Sequence, residues 1–172
     1  IIIIKKGQTA DFEMVMYNAD GSRSQMCGNG IRCVGKYVYD AGYTKGCEFT
    51  IESMGAVKYL KVIKGERGDK ETWLSVDMGS PILQAEKIPV ALGVPEPVAG
   101  PTEHVIMHPL TIKNTEYKIT CVSMGNPHAV VSINKKPADF PVCQLGPLFE
   151  NNAFFPERTN IGIAFVEDRH TI

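Results

Sequence analysis

Alternating apolar and polar positions predict that most of this chain folds as short β-strands. Residues 12–17 alternate and end at an Asn-Ala-Asp-Gly turn sequence. Residues 48–53 and 56–64 flank Met54-Gly55 in the pattern of a β-hairpin. Further strand-like segments are residues 1–4, 71–78, 105–113, 117–124, 129–133 and 161–166.

Residues 27–41 have the period of a helix instead. Gly42 ends it, at a position where glycine often closes a helix in the left-handed conformation. Most of its length is apolar or aromatic, so we expect a helix enclosed by the strands. Its apolar residues share one helix face, at spacings of four, three, four and three residues: Cys27, Ile31, Val34, Val38 and Ala41.

Residues 85–103 change character, because prolines and glycines cluster there. We interpret this stretch as the connection between two domains, a first over residues 1–88 and, over residues 89–172, the connection with a second domain. A second helix is predicted at residues 138–149, although Pro141 and Gly146 interrupt it, and residues 151–160 are predicted to form a loop. The cluster comprises Pro89, Gly93, Pro95, Pro97, Gly100 and Pro101.

Composition narrows the class of protein without naming it. The 172 residues are 44% hydrophobic and 22% charged, with a net charge of −1, which is typical of a soluble globular protein and not of a nucleic-acid-binding groove or a membrane surface. Five cysteines, an odd number without metal-binding spacing, argue against a disulfide framework. We therefore expect free thiols and a cytoplasmic location.

The segment NADGSRSQMCGNGIRC carries the chemistry. Cys27 lies at the start of the predicted helix, where backbone N–H groups lack partners and the helix dipole favours negative charge. Gly28 and Gly30 remove side chains beside the sulfur, and Asn29 adds an amide that both donates and accepts hydrogen bonds. A poised thiol beside a cradle for an anion suits proton abstraction next to a carboxylate.

The same residues resemble a known family. MCGNGIRC preceded by YNADGS is similar to the first catalytic-cysteine motif of the diaminopimelate epimerases, and the similarity continues in order through DMGSP, VSMGNPHAVV, LGPLFE and FPERTNIG. The resemblance implies an α+β fold of two similar domains, each a strongly curled, mostly antiparallel sheet wrapped round a central helix. The family's site lies in the cleft between them.

The resemblance also implies a reaction. In this family two cysteines, one per domain, face opposite sides of the α-carbon of diaminopimelate and interconvert its LL and meso isomers, on the route to lysine and peptidoglycan. Neither pyridoxal phosphate nor a metal takes part, and the implied partner is this small-molecule substrate, with a homodimer as the implied assembly. No nucleic acid or membrane is implied.

Site residues are carried over position by position. Cys27 matches the first catalytic cysteine. His128 matches a histidine that modulates the pKa of the family's cysteine. The positions that match substrate-binding residues are Asn18, Gly28, Asn29, Asn126 and Asn160.

The chain departs from the family pattern in two places. The family's opening segment and its second Cys-Gly-x-Gly motif have no counterpart in this sequence, so we expect an incomplete second domain and an inactive isolated chain. The other four cysteines are not followed by Gly-x-Gly and are interpreted as buried, inert thiols: Cys33, Cys47, Cys121 and Cys143.

Other functions remain open on the sequence alone. Proline racemases, hydroxyproline epimerases and phenazine-pathway isomerases share the two-domain plan, although the asparagines favour a substrate with a second amino-acid head. A hydrolase or transferase with Cys27 as nucleophile would need a base such as His128. His104 and His108 have a zinc-like spacing but fall on a predicted strand, where they would not converge. A non-catalytic binding module is the fourth alternative.

Overall fold

The computed structural model describes residues 1–91 and 104–172. The chain divides into two compact units, Ile1–Gly79 and Ser80–Ile172. The prolines and glycines expected in the inter-domain connection at positions 93, 95, 97, 100 and 101 lie outside the described residues.

The first unit is a five-stranded mixed sheet that carries one helix. The helix α1 (Gly28–Asp40) lies in the connection between the second and third strands, which are parallel; a crossover of this length is what parallel neighbours require. All other neighbours are antiparallel. In spatial order the strands are β1 (Ile2–Lys6), β2 (Phe12–Met16), β3 (Glu48–Ser53), β4 (Ala56–Lys64) and β5 (Trp73–Val76).

Helix α1 packs on the sheet through its apolar face. Ile31, Val34 and Val38 are almost fully buried, together with strand residues from the sheet. Gly35 allows a close approach: a methyl group there would lie 2.7 Å from Leu60 Cδ2 and 2.9 Å from Leu74 Cδ2, so a larger residue would require these leucine side chains to move. The sequence period therefore identified the buried helix face at Ile31, Val34 and Val38, whereas Ala41 is the exposed C-cap residue, just beyond the end of α1.

The second unit is a four-stranded sheet with its own core. Its strands are β6 (His108–Ile112), β7 (Thr115–Ser123), β8 (Pro127–Ile133) and β9 (Asn160–Phe165), in that spatial order. β8 and β9 are parallel, and the connection between them contains helix α2 (Val142–Glu150). Phe149, Phe154 and Phe155 are buried against the strands and form much of this core.

Most predicted elements are confirmed, with shifted ends. The hairpin of β3 and β4 has the predicted bounds, and Gly42 adopts the left-handed conformation at φ +74°. Helix α2 begins at Val142 and not at residue 138, because Pro137–Asp139 form a separate 3-10 turn and Pro141 occupies the N-cap. The mixed sheets with few helices confirm the α+β class.

Residues 85–91 differ from the connection that their composition suggested. Ala85, Ile88 and Val90 are buried in the core of the second unit, and Ile82 pairs with Ser123 of β7. This part of the stretch is therefore packed structure.

In the described ranges no helix is long and apolar enough to cross a membrane.

Candidate active site

Cys27 is the N-cap of helix α1. Its backbone is extended, at φ −134° and ψ 106°, and its Sγ accepts a hydrogen bond from the Gly30 N–H at 3.2 Å. The Cys27 carbonyl accepts the Ile31 N–H at 2.9 Å, which is the first bond of the helix ladder. The sulfur therefore takes the place that a serine or aspartate oxygen usually fills at a helix start.

The first turn keeps two donors beside the sulfur. The N–H groups of Gly28 and Asn29 have no hydrogen-bond acceptor within the part of the chain that the structure describes. No acidic residue lies in this turn, so nothing there opposes the positive end of the helix dipole. An approaching carboxylate finds two unpaired donors next to a half-buried thiol.

The two glycines of the Cys-Gly-Asn-Gly sequence serve different purposes. A methyl group built on Gly30 would lie 3.3 Å from Cys27 Cβ and 3.4 Å from its sulfur, so Gly30 makes room for the thiol. A methyl group on Gly28 would meet nothing closer than 4.0 Å. The space over Gly28 is therefore open to a ligand.

Asn29 is held by a residue that the sequence analysis did not single out. The Arg32 guanidinium, through Nη2, donates a hydrogen bond to Asn29 Oδ1 one helical turn away. The i,i+3 spacing on a predicted helix is the signal that could have revealed this pair.

Asn18 begins the tight turn that leads toward Cys27. Its Nδ2 donates to Ser22 Oγ at 3.1 Å, and its backbone N–H donates to the Ser22 carbonyl at 2.9 Å. Asp20 Oδ1 accepts from both the N–H and the hydroxyl of Ser22, and Gly21 supplies the left-handed conformation at φ +82°. These bonds fix the turn and leave the Asn18 side-chain oxygen without a donor among the described residues.

The predicted site residues of the second unit lie at its two parallel strands, β8 and β9. His128 in β8 and Asn160 at the start of β9 are paired residues of the two strands, and Asn160 Nδ2 donates to the Pro127 carbonyl at 2.9 Å. Asn126 immediately precedes β8. The structure thus brings Asn126, His128 and Asn160 to one end of this sheet.

The remaining cysteines correct the sequence interpretation. Only Cys121 is buried, and burial raises the pKa of its thiol to about 12. Cys33, Cys47 and Cys143 are exposed, so the expectation of buried thiols is wrong for these three. Cys33 lies off the apolar face of α1, Cys47 immediately precedes β3, and Cys143 is in α2.

His104 and His108 lie at the edge of the second unit. His104 is in an isolated bridge with Gln84, and the ring of His108, in β6, stacks on Phe154 at 5.1 Å. In residues 1–91 and 104–172 no three histidine, cysteine or carboxylate side chains are grouped as metal ligands.

Solved structures show the class of fold. The chain is similar to a phenazine biosynthesis protein of the PhzF family from Bacillus anthracis, with a TM-score of 0.54 and 17% identity, over 98% of this chain and 53% of that one. It is also similar to a hydroxyproline epimerase from Agrobacterium vitis with bound trans-4-OH-L-proline, with a TM-score of 0.59 and 11% identity, over 99% of this chain and 49% of that one. The chain therefore shares the fold of these two proteins.

Comparison of amino-acid sequences identifies relatives of higher identity. Residues 1–83 match the family model of diaminopimelate epimerase. Diaminopimelate epimerases of Leptospira biflexa, Methanococcus maripaludis and Agathobacter rectalis are 41%, 44% and 46% identical to this chain, over 98%, 100% and 93% of its length. The chain is therefore similar to diaminopimelate epimerases over nearly its whole length, which confirms the resemblance. It spans 55–58% of the length of these relatives.

Proposed function

We propose that the protein carrying this chain interconverts LL- and meso-diaminopimelate without pyridoxal phosphate, and that Cys27 is one of two thiols that move the α-proton. The observation that carries the proposal is the position of Cys27 Sγ at the N-cap of α1, where it accepts the Gly30 N–H beside two unpaired N–H donors. The relatives are named diaminopimelate epimerases, and the chain spans 55–58% of their length. The proposal therefore concerns the whole protein that carries this chain.

The proposed chemistry follows from what α1 offers. The substrate carboxylate accepts hydrogen bonds from the Gly28 and Asn29 N–H groups, which stabilise the negative charge that grows on its oxygens as the α-proton leaves. The Cys27 thiolate takes that proton on one face, or the thiol returns one to that face in the reverse direction. The Gly30 N–H donates to this sulfur, which lies at the positive end of the helix dipole.

The other proposed roles follow the family pattern. Asn18, Asn126 and Asn160 bind polar groups of the substrate, and His128 modulates the acidity of the thiol. The second thiol has no candidate in this sequence, because no other cysteine is followed by Gly-x-Gly. We therefore expect the 172-residue chain alone not to epimerise.

Cellular context completes the proposal. The reaction belongs to lysine and peptidoglycan biosynthesis, takes place in the cytoplasm and is carried out by a homodimer. Sedimentation of the purified protein and fractionation of cells test the assembly and the location separately.

Deuterium incorporation at the α-carbon of LL-diaminopimelate tests the reaction. The protein carrying this chain, reduced and without added cofactor, is incubated with the substrate in D₂O. Incorporation with formation of the meso isomer is the expected result. A folded protein that produces neither would refute the proposal, and the same assay with hydroxyproline and proline would then test the two nearest alternatives.

A further inference from the structure

We infer that Arg32 is a positioning residue of the proposed reaction, which fixes the Asn29 carboxamide so that its two N–H donors are available to the substrate carboxylate. The inference rests on the proposed function for the identity of the ligand. Its structural basis is the contact between Arg32 Nη2 and Asn29 Oδ1 on neighbouring turns of α1.

The chemistry of the two groups determines the orientation of the amide. A guanidinium carries five N–H donors and no acceptor, so the atom of Asn29 that faces it must be the oxygen. The amide nitrogen, on the other branch of the same planar group, is then turned away from Arg32. Within residues 1–91 and 104–172 this nitrogen has no hydrogen-bond partner, which leaves both of its N–H groups to a ligand.

Orientation matters because a carboxamide can present either of two opposite groups. If Asn29 were free to rotate by half a turn, its oxygen would face the carboxylate and repel it. Arg32 prevents that rotation, since the rotated amide would set N–H groups against the guanidinium. Asn29 is exposed, so packing does not fix its amide, and the arginine contact does.

The position of Arg32 also adds charge at the right place. Its Nη1 would lie 4.0 Å from a methyl group built on Gly28, so the guanidinium borders the open space beside the unpaired N–H groups. No acidic residue of the first helical turn neutralises it. The guanidinium therefore borders the space that Gly28 leaves open beside two backbone donors, and a carboxylate is the ligand group that matches positive charge and N–H donors.

Kinetics of four variants of the complete protein test this role. Arg32→Met keeps the length of the side chain and removes its donors, and we expect KM for diaminopimelate to rise on the order of tenfold, as loss of about 1.4 kcal/mol implies. The value of kcat should fall less. Arg32→Lys, again a donor without an acceptor, should restore part of the loss, whereas Arg32→Gln, which can face Asn29 either way, should not.

The control is Arg169→Met, the same change at an exposed position in the second unit, which should keep the KM of the parent. An Arg32→Met protein with parental KM, or a lysine variant no better than the glutamine variant, would overturn the inference. Folding of each variant is checked by its thermal transition.

Nuclear magnetic resonance separates this inference from the proposed function. The side-chain amide signals of Asn29 should shift in Arg32→Met and stay in place in Arg169→Met, whether or not substrate is turned over. An unchanged Asn29 signal in Arg32→Met overturns the inference. A parent protein that exchanges no α-proton refutes the proposed function, and a shifted signal in that case still supports the orienting contact.

Discussion

Replacing Gly28 and Gly30 by alanine, one at a time, applies the same chemical change to two different surroundings. A methyl group on Gly28 would have its nearest neighbours, Arg32 Nη1 and Met78 Cε, at 4.0 Å, which is ordinary contact. Alanine is favoured over glycine in helices by up to about 1 kcal/mol. We expect Gly28→Ala to leave the free energy of unfolding unchanged or to raise it by no more than that.

Gly30→Ala should behave differently. Its methyl group would lie 3.3 Å from both Cys27 Cβ and Ile2 Cδ1, and 3.4 Å from the sulfur. Overpacking of this kind costs about 1–3 kcal/mol, against a helix gain of about 1 kcal/mol. The expected net loss of stability is about 0–2 kcal/mol, and Cys27 Cβ and Ile2 Cδ1 must give by a few tenths of an ångström.

Chemical denaturation and α-proton exchange, both measured on the complete protein that carries this chain, together distinguish the two variants. Exchange by Gly28→Ala should fall on the order of a hundredfold despite its intact stability, because a methyl group keeps the carboxylate from its donors and a 1 Å misplacement can cost that much. A Gly28→Ala protein that exchanges at the parental rate would refute ligand docking at Gly28. Marked destabilisation of the same variant would refute the inference that the space there is open.

Three further predictions concern single side chains. Cys27→Ser should abolish exchange but keep the stability of the parent, since serine is a good N-cap. Cys27→Ala should lose exchange and, because sulfur is a weaker acceptor than oxygen, less unfolding free energy than the about 0.5–2 kcal/mol that loss of an oxygen cap costs; an active serine variant would contradict a thiol mechanism. The Thr9 hydroxyl and the Gln8 N–H hold the pKa of Glu52 below its ordinary value of 4.5, so stability present above that pH should be lost as the pH falls through the lowered value. Denaturation midpoints should show this loss, and Glu52→Gln should reduce the acid loss of stability by the share of Glu52, leaving that of Asp40 and Glu48, whose pKa values are also lowered. Cys121, with a pKa of about 12, holds about one part in 10⁴ of thiolate at pH 8 and should be the last cysteine that iodoacetamide labels; early labelling in mass spectra would show that its core opens.

Local patterns were sufficient for much of the fold. Helix α1 and the hairpin of β3 and β4 were predictable because their apolar spacing and turn residues act over a few positions. The pairing of β2 with β3 was not, since parallel strands meet only after the whole intervening crossover has folded. The start of α2 was misplaced because a 3-10 turn and Pro141 interrupt an otherwise helical apolar pattern.

The candidate site was predictable to a similar extent. The helix-start position of Cys27 follows from sequence period and motif. The different roles of Gly28 and Gly30 could not be predicted from the sequence, because they depend on which atoms a methyl group at each position would contact in the folded chain. The exposure of Cys33 follows from the helical period, which leaves this residue off the apolar face, whereas the exposure of Cys47 and Cys143 depends on packing that composition does not encode.

The sulfur of Cys27 closes the helix as well as offering a site for chemistry, and this couples covalent modification to the backbone. A reagent that bonds to the sulfur and draws it away leaves the Gly30 amide without its hydrogen-bond acceptor. Amide hydrogen exchange at Gly30 would then accelerate. A ligand that only fills the space over Gly28 leaves that amide protected, so one backbone proton reports whether an inhibitor has reacted with the thiol or merely occupies the space beside it.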